Sequence, residues 1–245
     1  MSELELERLE SPEGDLVAGL RTTTAEFPPD RTQAILDAAK QVGSLLKAGE
    51  HRFALAGGVA AYAHGAPMSL RHDVDFCIIR EDAEQVANTL RKAGLEVYQP
   101  PEDWLIKARC RGEQVDLIFE LAQQPIDERF LARAEELSVN SVRMPVIAAT
   151  DMIGSLLAAF SEHHCDFGAV LPIARLLREK VDWPGLRAQF GRQPMPDAFL
   201  YLLERLDVIP ARPDGAAYQQ EGHEAAAAEQ GADEEGAEER VVPHD

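Results

Sequence analysis

In His72-Asp73-Val74-Asp75-Phe76-Cys77-Ile78 two carboxylates stand two positions apart among apolar side chains. Read as a strand, whose side chains alternate between faces, the segment projects Asp73 and Asp75 together and sends Val74, Phe76 and Ile78 the other way. Two like charges a few ångströms apart repel by an energy on the order of kilocalories near a protein surface unless a cation lies between them. Oxygen ligands of this kind suit Mg²⁺ or Mn²⁺, which take one or two carboxylates together with waters and substrate phosphates. A third carboxylate, Asp116 in Val115-Asp116-Leu117-Ile118-Phe119, has the same strand-like apolar setting and completes a candidate metal site.

Upstream, the apolar run 53–56 enters Gly57-Gly58 and then a helix-like stretch over 59–64. Small residues at the start of a helix leave backbone N–H groups where a phosphate can approach, and a tight turn is the other use of such a pair. Lys107 and Arg109 alternate with Ile106, Ala108 and Cys110, so the basic pair points away from the apolar side. There they serve either as cations over a triphosphate or as a solvated strand face.

The elements that must position these residues follow from periodicity. Ile35, Leu36, Ala39, Val42, Leu45 and Leu46 recur at helical spacing over 30–46, and 74–79 reads as a strand. A helix over 81–93 closes at Gly94, in the favoured C-cap position. Strands over 104–110 and 115–121 are joined by Arg111-Gly112-Glu113-Gln114 as a tight hairpin. From Thr150, a candidate N-cap, Met152, Ile153, Leu156, Leu157 and Phe160 mark a helix, and helical patterning runs on to about residue 206. The fold class expected is α/β in the α+β sense, a mixed sheet flanked by helices with a C-terminal helical annex. The expected divisions are a partly flexible segment over 1–29, the sheet domain over 30–145, the annex over 146–208 and an acidic tail over 209–245.

The order strand, Gly-Gly, helix, strand with Asp-x-Asp, helix, hairpin with Asp resembles the minimal nucleotidyltransferases of the DNA polymerase β-like fold, including relatives found in bacterial toxin–antitoxin modules. The resemblance covers roughly residues 53–119, more weakly the helices to 177. It implies a Gly-Gly or Gly-Ser turn holding a triphosphate, matched by Gly57 and Gly58, and three metal-holding carboxylates, matched by Asp73, Asp75 and Asp116. It further implies in-line attack of an acceptor hydroxyl, on protein or RNA, at the α-phosphate of an NTP, with Asp116 beside the attacking oxygen. Two departures stand out: Gly58 replaces the frequent Ser, and Leu156 stands where several toxin-like members carry a Lys. The competing expectation is therefore a catalytically idle nucleotide-binding or protein-interaction module of the same fold, with a partner protein.

Composition narrows the rest. A formal net charge of −19 repels a phosphate backbone and disfavours non-specific nucleic-acid binding, yet permits a nucleotide bound through a cation. No apolar run is long enough for a membrane span and the acidic N-terminus lacks secretory-signal features, so the expected location is cytoplasmic. Cys77, Cys110 and Cys165 have no paired spacing and read as reduced buried thiols. Glu162-His163-His164-Cys165-Asp166 offers zinc-ligand types, but adjacent residues diverge on a helix; His164 is expected to pack against the sheet, with Asp166 at the pocket edge. Asp182-Trp183-Pro184 reads as a turn with an anchoring aromatic.

Overall fold

The structure is a computed structural model and describes residues 31–66, 70, 73–122 and 124–212. The expectations for 1–29 and for the tail beyond 212 lie outside the described residues. Helix α1 (Thr32–Ala48) turns Ile35, Leu36, Ala39, Val42 and Leu46 into the core along one stripe. Its Gly43 meets Phe76 and Met144, which fixes the sheet face that α1 covers. Next come β1 (Phe53–Ala56), α2 (Gly57–Ala63), β2 (Val74–Ile78) and α3 (Ala83–Lys92). α3 ends, as expected, with Gly94 at φ +84, a backbone shape open to glycine.

Strands β3 (Glu96–Tyr98), β4 (Leu105–Cys110) and β5 (Glu113–Ile118) follow. A short ladder of β6 (Glu120–Leu121) with β7 (Gln124–Pro125) leads to α4 (Glu128–Ala132) and the hairpin β8 (Glu135–Val139) and β9 (Val142–Val146). The main sheet has seven strands in the order β3-β4-β5-β2-β1-β9-β8. Pairs β2–β5 and β1–β9 are parallel and the rest antiparallel, so the sheet is mixed. Strands β3, β8 and β9 extend it beyond the strands expected from the sequence.

Helices α5 (Ala149–Ala158), α6 (Phe167–Leu177), α7 (Trp183–Phe190) and α8 (Pro194–Arg205) form the annex. Its centre is Phe160, Phe167 and Phe199, with ring centroids 5.0 to 5.3 Å apart. The N-cap of α5 is Ala148 rather than Thr150, because the helix begins directly as β9 ends. The Thr150 hydroxyl instead accepts from Asp182 N–H at 2.9 Å, tying α5 to α7. Asp182 caps α7 and the buried Trp183 donates its indole N–H to Arg178 O, so this dipeptide anchors as expected.

Two expectations fail for one reason. α5 stops at Ala158, and Ser161 bridges His164 in a tight turn, so Phe160 and His164 do not share a helix face. His164 and Cys165 are consequently exposed, not buried. Packing also runs past the expected annex limit at 208. Ile209 is buried, and Arg212 binds Asp197 and Glu204 on α8.

Candidate active site

Strand alternation puts Asp73 and Asp75 on the sheet face opposite Phe76 and α1. The parallel register sets Asp75 directly beside Asp116, and β1 on its other side sets Asp75 beside Ala56, the last residue before Gly57. Three central strands therefore converge on one carboxylate. Gly57 has φ +61, and a Cβ there would lie 1.9 Å from Asp75 Oδ2. Any residue but glycine would displace the Asp75 carboxylate or the turn, so the requirement for Gly57 is steric as well as conformational.

Lys107, across β4 from Asp116, places its ammonium 2.9 and 3.1 Å from the two Asp116 oxygens. Gln114 donates its side-chain amide to Asp73 Oδ2 at 2.8 Å and to Asp116 Oδ1 at 3.2 Å, stitching the outer carboxylates together. Burial pushes the Asp75 carboxyl up to about 7, with repulsion from Asp116 and Asp73 adding to it and Lys107 opposing. Burial, the largest single influence, pulls the Lys107 ammonium down, but its hydrogen bond to Asp116 together with the charges of Asp116 and Asp73 leaves it raised. Among the described residues, Lys107 is the cation hydrogen-bonded to this group, through Asp116.

The structure thus brings Asp73, Asp75, Asp116, Gly57 and Lys107 together. Gly58 follows in α2, and a Cβ there would meet only Leu70 Cδ2 at 3.6 Å, an ordinary contact. Among the described residues nothing in the packing demands glycine at 58. Arg109 shares the face of Lys107, two residues along, but is exposed and joins no ion pair among the described residues. Leu156 is half-buried in α5 and supplies no charge to this face.

Gln114 is the residue that sequence reasoning missed. The hairpin turn is two residues, Arg111 at φ 55 and Gly112 at φ 84, rather than four. Glu113 and Gln114 are therefore already strand, and period two from Asp116 puts Gln114 on the carboxylate face. The Arg-Gly pair followed by an alternating run was the signal that could have placed it. Glu113, on the opposite face, is buried and pairs with Arg31 at the start of α1.

The carboxylate oxygens of Asp73, Asp75 and Asp116 are the hard donors that divalent cations take, and that of Asp75 lies against Gly57, where no side chain intrudes. Among the described residues no group of three or more His, Cys, Asp or Glu is gathered closely enough to hold a metal ion. An open site using one or two carboxylates plus phosphate oxygens is the arrangement Mg²⁺ favours.

Comparison with known proteins gives the family. A family model described as uncharacterised nucleotidyltransferase matches residues 4–207. The chain belongs to this family. As a nucleotidyltransferase it takes a nucleoside triphosphate as substrate. No curated protein sequence matches it. Among solved structures it is similar to the antibiotic-resistance factor ANT(2″)-Ia in complex with adenylyl-2″-tobramycin, at 14% identity and TM-score 0.48, over 70% of this chain and 99% of that one. It is also similar to an antigenic nucleotidyltransferase-like protein from Paracoccidioides brasiliensis, at 14% identity and TM-score 0.42, over 70% and 92%. A third similar structure is the Megavirus polyadenylate synthase, at 11% identity and TM-score 0.39, over 74% of this chain and 40% of that one. No helix among the described residues is long and apolar enough to cross a membrane.

Proposed function

We propose that this nucleotidyltransferase moves an NMP from an NTP to a hydroxyl acceptor in a Mg²⁺- or Mn²⁺-dependent reaction at Asp73, Asp75 and Asp116. The observation that carries the reading is the placement of Asp75. It is set in register between Asp116 and the end of β1, with Gly57 cut back to admit its carboxylate. Asp73, Asp75 and Asp116 form the cation site, and Gly57 and Gly58 leave room for phosphate beside it. A bound divalent cation supplies neutralisation of the leaving pyrophosphate and acidification of the acceptor hydroxyl. Asp116 accepts the acceptor's proton at a carboxylate oxygen as the acceptor oxygen bonds to the α-phosphorus. The bond to the β-phosphate bridging oxygen breaks in line, and pyrophosphate departs. Lys107 and Arg109 are the cations of this face available to the triphosphate.

The test is transfer of label from an α-labelled NTP, with Mg²⁺ and cell extract as the acceptor source. Asp75→Asn keeps shape and removes one charge. Transfer should fall by at least about a hundredfold, since each 1.4 kcal/mol or so of lost transition-state stabilisation is a factor of ten. Undiminished transfer in a folded Asp75→Asn protein overturns the reading.

A second reading, an idle module of the same fold, is favoured by one observation. The ammonium of Lys107 already engages both oxygens of Asp116. In that reading the lysine neutralises the site permanently, and labelled nucleotide binds without transfer.

A further inference from the structure

Resting on the enzymatic reading above, we propose that Lys107 is a displaceable counter-ion. In the metal-free enzyme its ammonium neutralises Asp116, and it crosses to the triphosphate when cation and nucleotide arrive together.

The geometry supports this from both sides of Asp116. Asp116 is paired across β4 with Lys107 and across β2 with Asp75. A cation shared by Asp75 and Asp116 and the ammonium of Lys107 would therefore reach one carboxylate from neighbouring strands. Asp116 Oδ1 already receives both Lys107 and Gln114, and Oδ2 receives Lys107 again. A carboxylate offers about four lone-pair sites, so little remains for a metal while the ammonium stays. The side chains are 19% exposed for Lys107 and 12% for Asp116, so water screens two positive centres at this carboxylate only weakly.

Of the two donors on Asp116, lysine is the one built to leave. It carries a compact point charge on a flexible four-carbon stem. Gln114 is held at its other end by Asp73. Among the described residues the hydrogen-bond partner of the Lys107 ammonium is Asp116 alone. A triphosphate over Gly57 and Gly58 offers the ammonium a second anion on the same face. Divalent cation alone must then bind against the lysine, whereas cation and nucleotide together relieve the conflict and tighten each other's binding by the same factor.

Calorimetric titration of Mn²⁺ into wild type, Lys107→Met and Lys107→Gln, with and without a non-hydrolysable NTP analogue, tests this. Wild type should bind Mn²⁺ weakly alone and about fivefold or more tightly with the analogue, the lower end of ordinary coupling. Both variants should bind Mn²⁺ alone more tightly than wild type and show a smaller tightening by the analogue, the part left being that from direct contact of cation and phosphate. Lys107→Gln keeps a hydrogen-bond donor toward Asp116 and guards against a misfolded Lys107→Met. Mn²⁺ binding alone that is unchanged or weaker in both folded variants overturns the counter-ion role. So does coupling as large as the wild type's in both of them. Wild type that binds no Mn²⁺ even with the analogue overturns the metal site itself, and this inference with it.

Discussion

Two regions of this molecule gather charge with different arithmetic. In the annex, Asp197 and Glu204 of α8 face Arg212 and Arg187, two carboxylates against two guanidiniums. Arg212 bonds both acids, and Arg187 bonds Glu204 and Pro210 O. Every charge there has an opposite, and the result is a strap that fastens residues 208–212 onto the helices. At the sheet, among the described residues, Lys107 bonds Asp116 and the neutral amide of Gln114 spans Asp73 and Asp116. Buried charge that is balanced holds a fold together. The Asp75 carboxylate, with Asp116 and Asp73 close by, is instead held in place against burial and repulsion by the surrounding fold.

The comparison breaks most visibly at Gly57. Gly57→Ala forces a Cβ to within 1.9 Å of Asp75 Oδ2 at a φ of +61. The backbone alone costs about 1–2 kcal/mol, and the carboxylate must also move. We expect nucleotide transfer to fall by about a hundredfold or more and the melting temperature by several degrees. A kinetic and thermal-melting comparison with wild type checks both. Retained activity would mean that Asp75 need not sit where it does.

The unbalanced end should also show in the pH dependence of metal-free stability. Asp75 has its carboxyl raised from an ordinary 3.8 to about 7 in the folded protein. Between those values the folded state holds a proton that the unfolded state has lost. Stability therefore falls as pH rises from about 4 to about 7, and the whole penalty is present above that. Urea denaturation in EDTA across this range should show the decline in wild type, and a shallower one in Asp75→Asn. Superimposable pH profiles would remove the repulsion from the description of the site.

The balanced end gives the smallest effect. Arg212→Ala leaves Asp197 without its guanidinium and Glu204 with Arg187 only. The pair is partly exposed and partly compensated, so a loss of roughly 1–2 kcal/mol in urea melts is expected, with nucleotide binding unchanged. A change in nucleotide affinity would show that the annex strap and the sheet site are coupled.

Much of the sheet site is legible in the chain because strands have period two. Asp73, Asp75 and Asp116 flanked by Val74, Phe76, Val115 and Leu117 declare their face without any knowledge of partners. Gly57 is visible as punctuation, but its reason is not. The contact with Asp75 Oδ2 arises only when β1 and β2 pair antiparallel, eighteen positions apart in the chain. Gln114 was hidden by the length of a turn, and Lys107 was visible as a cation while its partner was not. In the annex, the spacing of Phe160 and His164 suggests a helix that the turn at Ser161 interrupts. The strands β8 and β9 lie at the sheet's edge with Glu135, Glu136 and Arg143 among Leu137 and Met144. Their burial comes from packing under α1 and α2, a tertiary fact that local pattern carries faintly.

The central claim, that the three-carboxylate end of the sheet is where cation and nucleotide meet, is tested most directly by thermal melting with millimolar Mg²⁺ and NTP. A ligand that binds only the folded state raises its stability by about 2.7 kcal/mol at a hundredfold excess over its Kd. Wild type should melt several degrees higher with both ligands present, and Asp75→Asn should show little of that shift while remaining folded. An equal shift in the two proteins, or none in wild type, would contradict the assignment of the site.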